Sequence, residues 1–431
     1  MHNKLKRRTN LSQACAGVSH SALRTPRSVK IVSLLLAWFS ANARHLPWRC
    51  TRDPYAIWVS ESMLQQTQVK TVIPYWERWM RDLPTIQAAA KASPARLNKL
   101  WEGLGYYTRV RNLQKAAQQI ATQSAGQFPE SFDGILALPG IGRYTAGAIA
   151  SIAFNQPRPI LDGNVIRVLT RVFGIAADPR EKQTNAQLWQ FAGELVTHAA
   201  NPGSSRGQRR TGAHSEIRKG RRLRPSATAA AGSCSALNQS LMELGALVCT
   251  PRSPNCAACP VQKLCRARKN NSQEKLPHLG RREAVTARRF IAFVVERSGK
   301  FLVRQRPGGG VNAHLWEFPN VEIMAAKAGG RPSAGLRAPA VELRRARRDA
   351  PYQTTDFRFA SAQPLCTIKH SITRYRITLE AWRTEVTDSG RKLPGRWLPL
   401  KQLHKLAFTS AHKKILAQVS AMHPAPAADW T

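Results

Sequence analysis

The stretch Leu138-Pro-Gly-Ile-Gly-Arg-Tyr-Thr-Ala-Gly-Ala-Ile149 constrains this chain more than any other. Residues 131–137 read as a helix that Pro139-Gly140 must stop, because proline cannot continue a helix and glycine turns freely. Gly142 then lets the backbone turn closely, and Arg143 to Phe154 resumes as a helix with small residues on one side. A turn this tight leaves backbone N–H groups pointing outward at a helix N-terminus, a geometry that binds phosphate without any side chain. An ordinary close-packed helical turn reads the same way. A second stretch, Leu161-Asp-Gly-Asn-Val-Ile-Arg167, follows an apolar run and starts a helix with the Asp162 carboxylate at its N-terminus.

The charge balance agrees with a phosphate-binding turn. The 431 residues include 66 Lys and Arg against 25 Asp and Glu, a formal net charge of +41, for which nucleic acid is the default partner. The length fits two or three domains. The longest apolar stretch, Ile31 to Phe39, is interrupted by Ser33 and is too short for a transmembrane helix. Residues 1–27 are basic, lack an apolar core and precede the first acid, Asp53, so a disordered tail is expected there and not a secretory signal. Of eight cysteines only four cluster, as Cys249-x6-Cys256-x2-Cys259-x5-Cys265. Scattered thiols beside one cluster suit a reducing compartment and a metal site. Soft thiolates hold either iron–sulfur or zinc, although zinc sites usually pair two short knuckles across a longer gap.

From about residue 28 to 200 the pattern is helical. Val29 to Asn42 reads as one amphipathic helix, and Arg44-His-Leu-Pro-Trp48-Arg49 as a loop able to stack and grip a flat base. Ile57 to Gln65 forms the next helix, in Ser60-Glu-Ser-Met-Leu-Gln-Gln-Thr67. Glu61 is the only acid of that segment, and a desolvated carboxyl holds its proton and suits a general acid; a solvated surface glutamate is the plainer alternative. Val69, Val72, Trp76 and Trp79 recur at helical spacing and read as core. Trp101 to Asn112 interleaves Gly103, Gly105, Tyr106, Tyr107, Arg109 and Arg111, a composition suited to wedging a side chain into a duplex. Residues 201–233 hold Arg206, Arg209, Arg210, Arg218, Lys219, Arg221, Arg222 and Arg224 against Glu216, and read as a disordered basic insertion. Ser235 to Gly245 is helical, and Lys263, Arg266, Arg268 and Lys269 surround the last cysteine, where they suit phosphate contacts. Beyond a polar linker, Arg288–Val295, Lys300–Gln305, Glu380–Arg383 and Trp397–Leu400 read as strands, and Leu403 to Met422 as a final helix.

This succession resembles the A/G-specific adenine DNA glycosylases, within the helix–hairpin–helix, iron–sulfur glycosylase family. The motifs stand in the family's order: Leu46-Pro-Trp-Arg49, Ser60 to Thr67, Gly103-Leu-Gly-Tyr-Tyr107, the Leu138 turn, Leu161-Asp-Gly-Asn164 and the four cysteines. The resemblance implies a multidomain chain. A two-lobed all-α glycosylase domain over 28–268 would hold one [4Fe–4S] cluster on Cys249, Cys256, Cys259 and Cys265. A linker over 269–283 and a Nudix-like α+β domain over 284–422 would follow. The Nudix magnesium box is missing, since the stretch after Pro319 offers Glu322 and Glu342 amid Ala, Gly and Arg, so that domain is expected to bind and not hydrolyse.

Carried over residue by residue, Glu61 is the acid and base, Asp162 the stabilising carboxylate, and Tyr144 and Asn164 their supports. Gln66 and Tyr106 take the wedge positions. Arg44, Trp48, Arg49, Leu64, Gln239 and Met242 line the adenine pocket, with Gln239 where some relatives carry Glu. Gly140 and Gly142 shape the DNA-binding hairpin. The family's lesion-reading loop falls on Ile372-Thr373-Arg374, where Thr373 keeps a hydroxyl and its neighbours depart from the pattern; a plain strand is the alternative. The implied reaction is hydrolysis of the N-glycosidic bond of adenine mispaired with 8-oxoguanine or guanine in double-stranded DNA. A monomer in the cytoplasm, nucleoid-associated in a bacterial source, is expected. Three other readings compete: a bifunctional glycosylase/lyase of the endonuclease III type, disfavoured by Tyr144 where a lysine is needed; a non-catalytic DNA-binding protein with structural zinc; and a Nudix hydrolase with a DNA-binding appendage.

Overall fold

A computed structural model describes residues 26–123, 126–201, 233–280, 284–323, 351–372, 374–387 and 393–423. The expected tail up to residue 25, nearly all of the basic insertion, Glu342 and Thr373 lie outside these residues.

Twelve helices come first among the described residues: α1 (Pro26–Asn42), α2 (Pro54–Leu64), α3 (Val69–Asp82), α4 (Ile86–Lys91), α5 (Pro94–Leu100), α6 (Thr108–Gln123), α7 (Phe132–Leu136), α8 (Arg143–Ile152), α9 (Gly163–Phe173), α10 (Lys182–Ala200), α11 (Ser233–Leu247) and α12 (Arg266–Lys269). Their starts are written in capping side chains. Asp53, Thr85, Ser93, Ser131 and Asp162 each accept a backbone N–H of the following first turn, which satisfies a donor that the helix cannot. Gly174, in the left-handed conformation at φ 69°, ends α9. In the turn between α7 and α8 it is Gly140, not Gly142, that needs glycine. Gly140 has φ 78°, and a Cβ there would lie 2.5 Å from Asn112 Cβ, whereas Gly142 faces open space. The α3 stripe is core at Val72 and Trp79, while Val69 and Trp76 stay half-exposed.

Eight strands then build one sheet: β1 (Thr286–Arg297), β2 (Lys300–Gln305), β3 (Trp316–Glu317), β4 (Asn320–Ile323), β5 (Phe357–Phe359), β6 (Cys366–Ile372), β7 (Tyr375–Val386) and β8 (Arg396–Pro399). Its spine is β1 against β7, parallel, with Phe290 opposite Leu379 and Phe293 opposite Trp382. Alternation along β1 sends Ala292 and Val294 to one core with Leu379, Phe408 and Ile415, and Ile291, Phe293 and Val295 to the other with Trp382 and Tyr352. The final helix is broken. In place of one helix over 403–422 there are α13 (Leu400–Leu403) and α14 (Ser410–Met422). The segment between them pairs with Trp316: Trp316 N donates to Ala407 O at 2.9 Å and Thr409 N to Trp316 O at 3.2 Å. That pairing withdraws backbone groups a continuous helix would need, and Thr409 then caps α14.

The chain divides into two compact units, one of Met1–Arg44 with Ala150–His278, the other of His45–Ile149 with Leu279–Thr431. The stretch after α12 is pinned to the first: Leu276 is buried and its carbonyl accepts from Arg171 Nε at 2.8 Å.

Candidate active site

In the second unit, α2 carries Glu61 on a face buried from Tyr55 to Met63. Glu61 is 5% exposed, and Tyr144 Oη, from the first turn of α8, donates to its Oε2 at 2.9 Å. The Leu138–Gly142 turn sets that first turn, so the tight turn and the acid belong to one construction. A buried carboxyl held by a phenol keeps both oxygens oriented and can accept or give a proton.

The chain after α2 and the chain before α6 protrude side by side. Gln66 and Tyr106 are both exposed and both left-handed, at φ 56° and 47°, a conformation that costs free energy for a residue with a side chain. Arg109 holds both loops. Its guanidinium donates to Ser62 O, Met63 O and Gln65 O at 2.9, 2.9 and 2.6 Å on one side. On the other it donates to Leu104 O and Gly105 O at 2.9 and 3.0 Å. Burial among carbonyls draws its pKa down to about 10. Trp48 is 6% exposed and packs edge-on against Trp76, as part of the core. Arg49 is half-buried beside it, and Leu64 half-buried at the end of α2.

In the first unit, Asp162 caps α9: its Oδ1 accepts from Val165 N at 2.7 Å and its Oδ2 from Asn164 Nδ2 at 3.0 Å. Burial pushes its carboxyl above the usual aspartate pKa despite those bonds. Asn164 is wedged against α11, where a Cβ on Gly245 would lie 2.6 Å from Asn164 Cβ. Also along α11, Glu243 takes Arg44 in a two-pronged pair, Nε–Oε1 and Nη2–Oε2 both 2.7 Å, Gln239 is buried and donates to Ser235 Oγ at 3.0 Å, and Met242 is half-buried.

The four clustered cysteines are unpaired thiols that line a single, mostly apolar cavity with Val168, Val172, Leu244, Val248 and Val261. Arg171, fully buried, ties this loop to α9 through Thr250 O at 2.7 Å, Pro251 O at 3.1 Å and Cys249 Sγ at 3.3 Å. Arg167 adds Cys249 O and Gly245 O, both 2.7 Å. Two of the basic residues at the loop are engaged locally, Arg266 on Phe173 O at 3.3 Å and Arg268 on Gln262.

Three family models match the chain: an HhH-GPD superfamily base excision DNA repair protein over residues 59–194, a NUDIX domain over 291–418, and the iron–sulfur binding domain of endonuclease III over 249–265. The adenine DNA glycosylase of Rattus norvegicus is 35% identical to it, across 88% of this chain and 76% of that one. The chain belongs to the adenine DNA glycosylases. The Homo sapiens member is 34% identical, over 90% of this chain and 74% of its own length. A solved thermostable thymine-DNA glycosylase is 26% identical, covering 57% of this chain and 97% of that one at a TM-score of 0.46. This adenine DNA glycosylase is thus a base-excision-repair enzyme that binds DNA, carries an iron–sulfur binding loop and ends in a NUDIX-like domain.

Glu243 and Arg171 escape a reading of the sequence, and Arg109, read there as one of the residues suited to a duplex, instead holds two loops together. Arg109 reaches carbonyls 44 to 47 positions earlier, and Glu243 meets Arg44 across 199 positions. The one available signal is Glu243 itself, the only acid of α11.

Proposed function

We propose that this glycosylase removes adenine opposite 8-oxoguanine or guanine by acid–base hydrolysis, without a covalent amine intermediate. The observation that carries the reading is the Tyr144–Glu61 hydrogen bond on a buried carboxyl. Glu61 protonates adenine N7, so that the base leaves neutral, and the sugar becomes oxocarbenium-like. Asp162, its oxygens ordered by Val165 N and Asn164, supplies the negative charge that stabilises this cation, as a carboxylate does in glycosidases. Glu61, now ionised, activates water. Tyr144 occupies the position where a lyase needs a lysine, which supports monofunctional chemistry. Gln66 and Tyr106, exposed and strained, are the side chains that enter the stack when adenine is extruded, at an unstacking cost of a few kcal/mol.

We infer that the cluster is [4Fe–4S], held by Cys249, Cys256, Cys259 and Cys265. The donor set fits: four thiols, spaced x6, x2 and x5 along the chain, face one mostly apolar cavity. That spacing favours a polynuclear cluster over zinc. Burial first, and the neighbouring thiols after it, push Cys259 up to about 12, a thiolate cost that a cationic cluster would offset. Held by Cys249, Cys256, Cys259 and Cys265, a cluster would cross-link the loop.

Duplexes carrying A opposite 8-oxoguanine, G, C or T, incubated with enzyme and then alkali, test the reading. Adenine should be lost from the first two, with strands intact until alkali is added. Glu61→Gln should bind the mispaired duplex and release no adenine, since the amide keeps the shape and lacks the proton. Strand cleavage without alkali, borohydride-trapped protein, or normal base loss by the variant would each overturn it.

A further inference from the structure

Gln66 and Tyr106 stand on loops from separate parts of the sequence, yet one guanidinium grips the peptide that precedes each of them. Arg109 Nη1 donates to Gln65 O at 2.6 Å, the carbonyl of the peptide joining Gln65 to Gln66. Arg109 Nη2 donates to Gly105 O at 3.0 Å, the carbonyl of the peptide joining Gly105 to Tyr106. Further bonds anchor each loop behind those points, from Nη1 to Ser62 O and Met63 O and from Nη2 to Leu104 O, all at 2.9 Å. The guanidinium also lies 5.7 Å from the ring centre of Tyr106 and 5.3 Å from that of Trp101, whose Nε1 donates to Gly105 O at 3.1 Å. All of these residues belong to the second unit.

This is a costly way to tie two loops. The acceptors are backbone carbonyls and the Thr67 hydroxyl, with no carboxylate among them to balance the charge. Arg109 Nε is buried with no hydrogen-bond partner among the described residues, a donor left unsatisfied. What the guanidinium offers in return is geometry. It is planar, with its two Nη groups at a fixed separation, so the two carbonyls and the residues that follow them keep one spacing and one orientation. Gln66 and Tyr106 both need such a restraint, because their φ values of 56° and 47° are unfavourable for side-chain-bearing residues and persist only where the surroundings over-determine them. Both side chains are exposed, so the pair is set before any duplex is engaged. We infer that Arg109 is the positioning residue for base extrusion: it locks Gln66 and Tyr106 into one preformed wedge, and so sets the rate at which the mispaired base leaves the stack, not the affinity for duplex or the proton transfer at Glu61. The inference rests on the reading of Gln66 and Tyr106 as the side chains that enter the stack.

Three measurements on the full-length, iron-loaded enzyme separate the steps. Stopped-flow fluorescence of 2-aminopurine, placed opposite G at the target position, reads extrusion. Anisotropy on the same duplex reads affinity, and single-turnover adenine release from A opposite G reads the whole reaction. Arg109→Lys keeps the charge but cannot hold both peptides in one plane. It should slow the fluorescence rise about tenfold or more, the scale set by two left-handed residues released from restraint. Adenine release should slow by the same factor, while affinity stays within about threefold of the wild type, since only a later step is affected. Gln66→Ala and Tyr106→Ala, with Arg109 intact, should slow the same rise; if neither does, the wedge reading fails and the proposal with it. If they do, a normal fluorescence rise in Arg109→Lys, or a loss of affinity as large as the loss of rate, overturns the proposal and leaves the wedge standing. Arg109→Gln, neutral and still a donor, is the second variant, with circular dichroism and iron content as folding checks. Failure of both variants to fold would make Arg109 a framework residue and overturn the proposal.

Discussion

Asp162 accepts two hydrogen bonds at the start of α9, yet burial still lifts its carboxyl above the usual aspartate pKa. The sign of the consequence follows. The folded protein binds this proton more tightly than the unfolded chain does. Stability from this group is therefore greatest below the ordinary value of 3.8, and is lost as pH rises through the raised value. Above the raised value the ionised Asp162 is a liability to the fold. Asp162→Asn should leave the cap intact, since asparagine caps as well as aspartate. It should melt no lower than the wild type at pH 7 while losing most glycosylase activity, a trade seen where sites store unfavourable charge. Thermal melts beside single-turnover assays decide this, and a melting temperature several degrees lower would contradict it. This capping role was readable from Asp-Gly-Asn-Val alone, because a cap is local. Arg109 was not, because its worth lies in carbonyls that only the fold brings to it.

Glu102 joins helical and sheet elements of the second unit. It precedes the Gly103–Tyr107 turn, and its buried carboxylate accepts from Phe408 N, Lys413 Nζ and Lys99 Nζ at 2.9, 2.9 and 3.0 Å. Lys99 Nζ also reaches Leu406 O at 2.9 Å, and Tyr75 Oη holds the Glu102 carbonyl at 2.8 Å. One carboxylate thus ties the turn bearing Tyr106 to the segment between α13 and α14. Burial works to raise its pKa, but the two lysines and the Phe408 N–H outweigh it and hold Glu102 below the ordinary 4.5. The stability it contributes is present above that ordinary value and lost as pH falls through the depressed one. Glu102→Gln should cost about 2 kcal/mol near pH 7, the range for unsatisfying a buried charged bond, and should flatten the acid limb of the stability curve. Urea titrations at pH 4 and pH 7 measure both, and equal losses at the two pH values would remove Glu102 as the tie. The elements themselves were largely legible. Strands β1, β2, β7 and β8 were visible as apolar alternation, whereas the break before α14 depends on Trp316, some ninety positions upstream, and leaves no local trace.

Over the whole chain, charge is the property that reaches beyond any contact. The formal net charge is +41, and residues 202–232 hold eight Arg and Lys against one Glu, a net of 8 − 1 = +7. The chain enters that segment from α10 and leaves it into α11, two helices that bury residues from Leu188 to Ala199 and from Cys234 to Gly245. Phosphate contacts release counterions, so each one adds about 0.9 to the log–log slope of affinity against salt. Removing residues 202–232 and joining α10 to α11 with a short Gly-Ser link should therefore weaken binding to undamaged duplex and flatten its salt dependence, by up to ~6 if all seven net charges meet phosphate. Adenine release from a mispair should persist at low salt, because Glu61, Tyr144, Asp162 and Asn164 all lie outside the deletion. Fluorescence anisotropy on undamaged duplex at a series of salt concentrations gives the slope, and single-turnover cleavage gives the rate. An unchanged slope would assign the DNA-facing charge elsewhere on the molecule, with Arg111, Lys263 and Lys414 the first to substitute. A deletion variant that fails to fold or lacks iron would show instead that the segment is part of the first unit's structure.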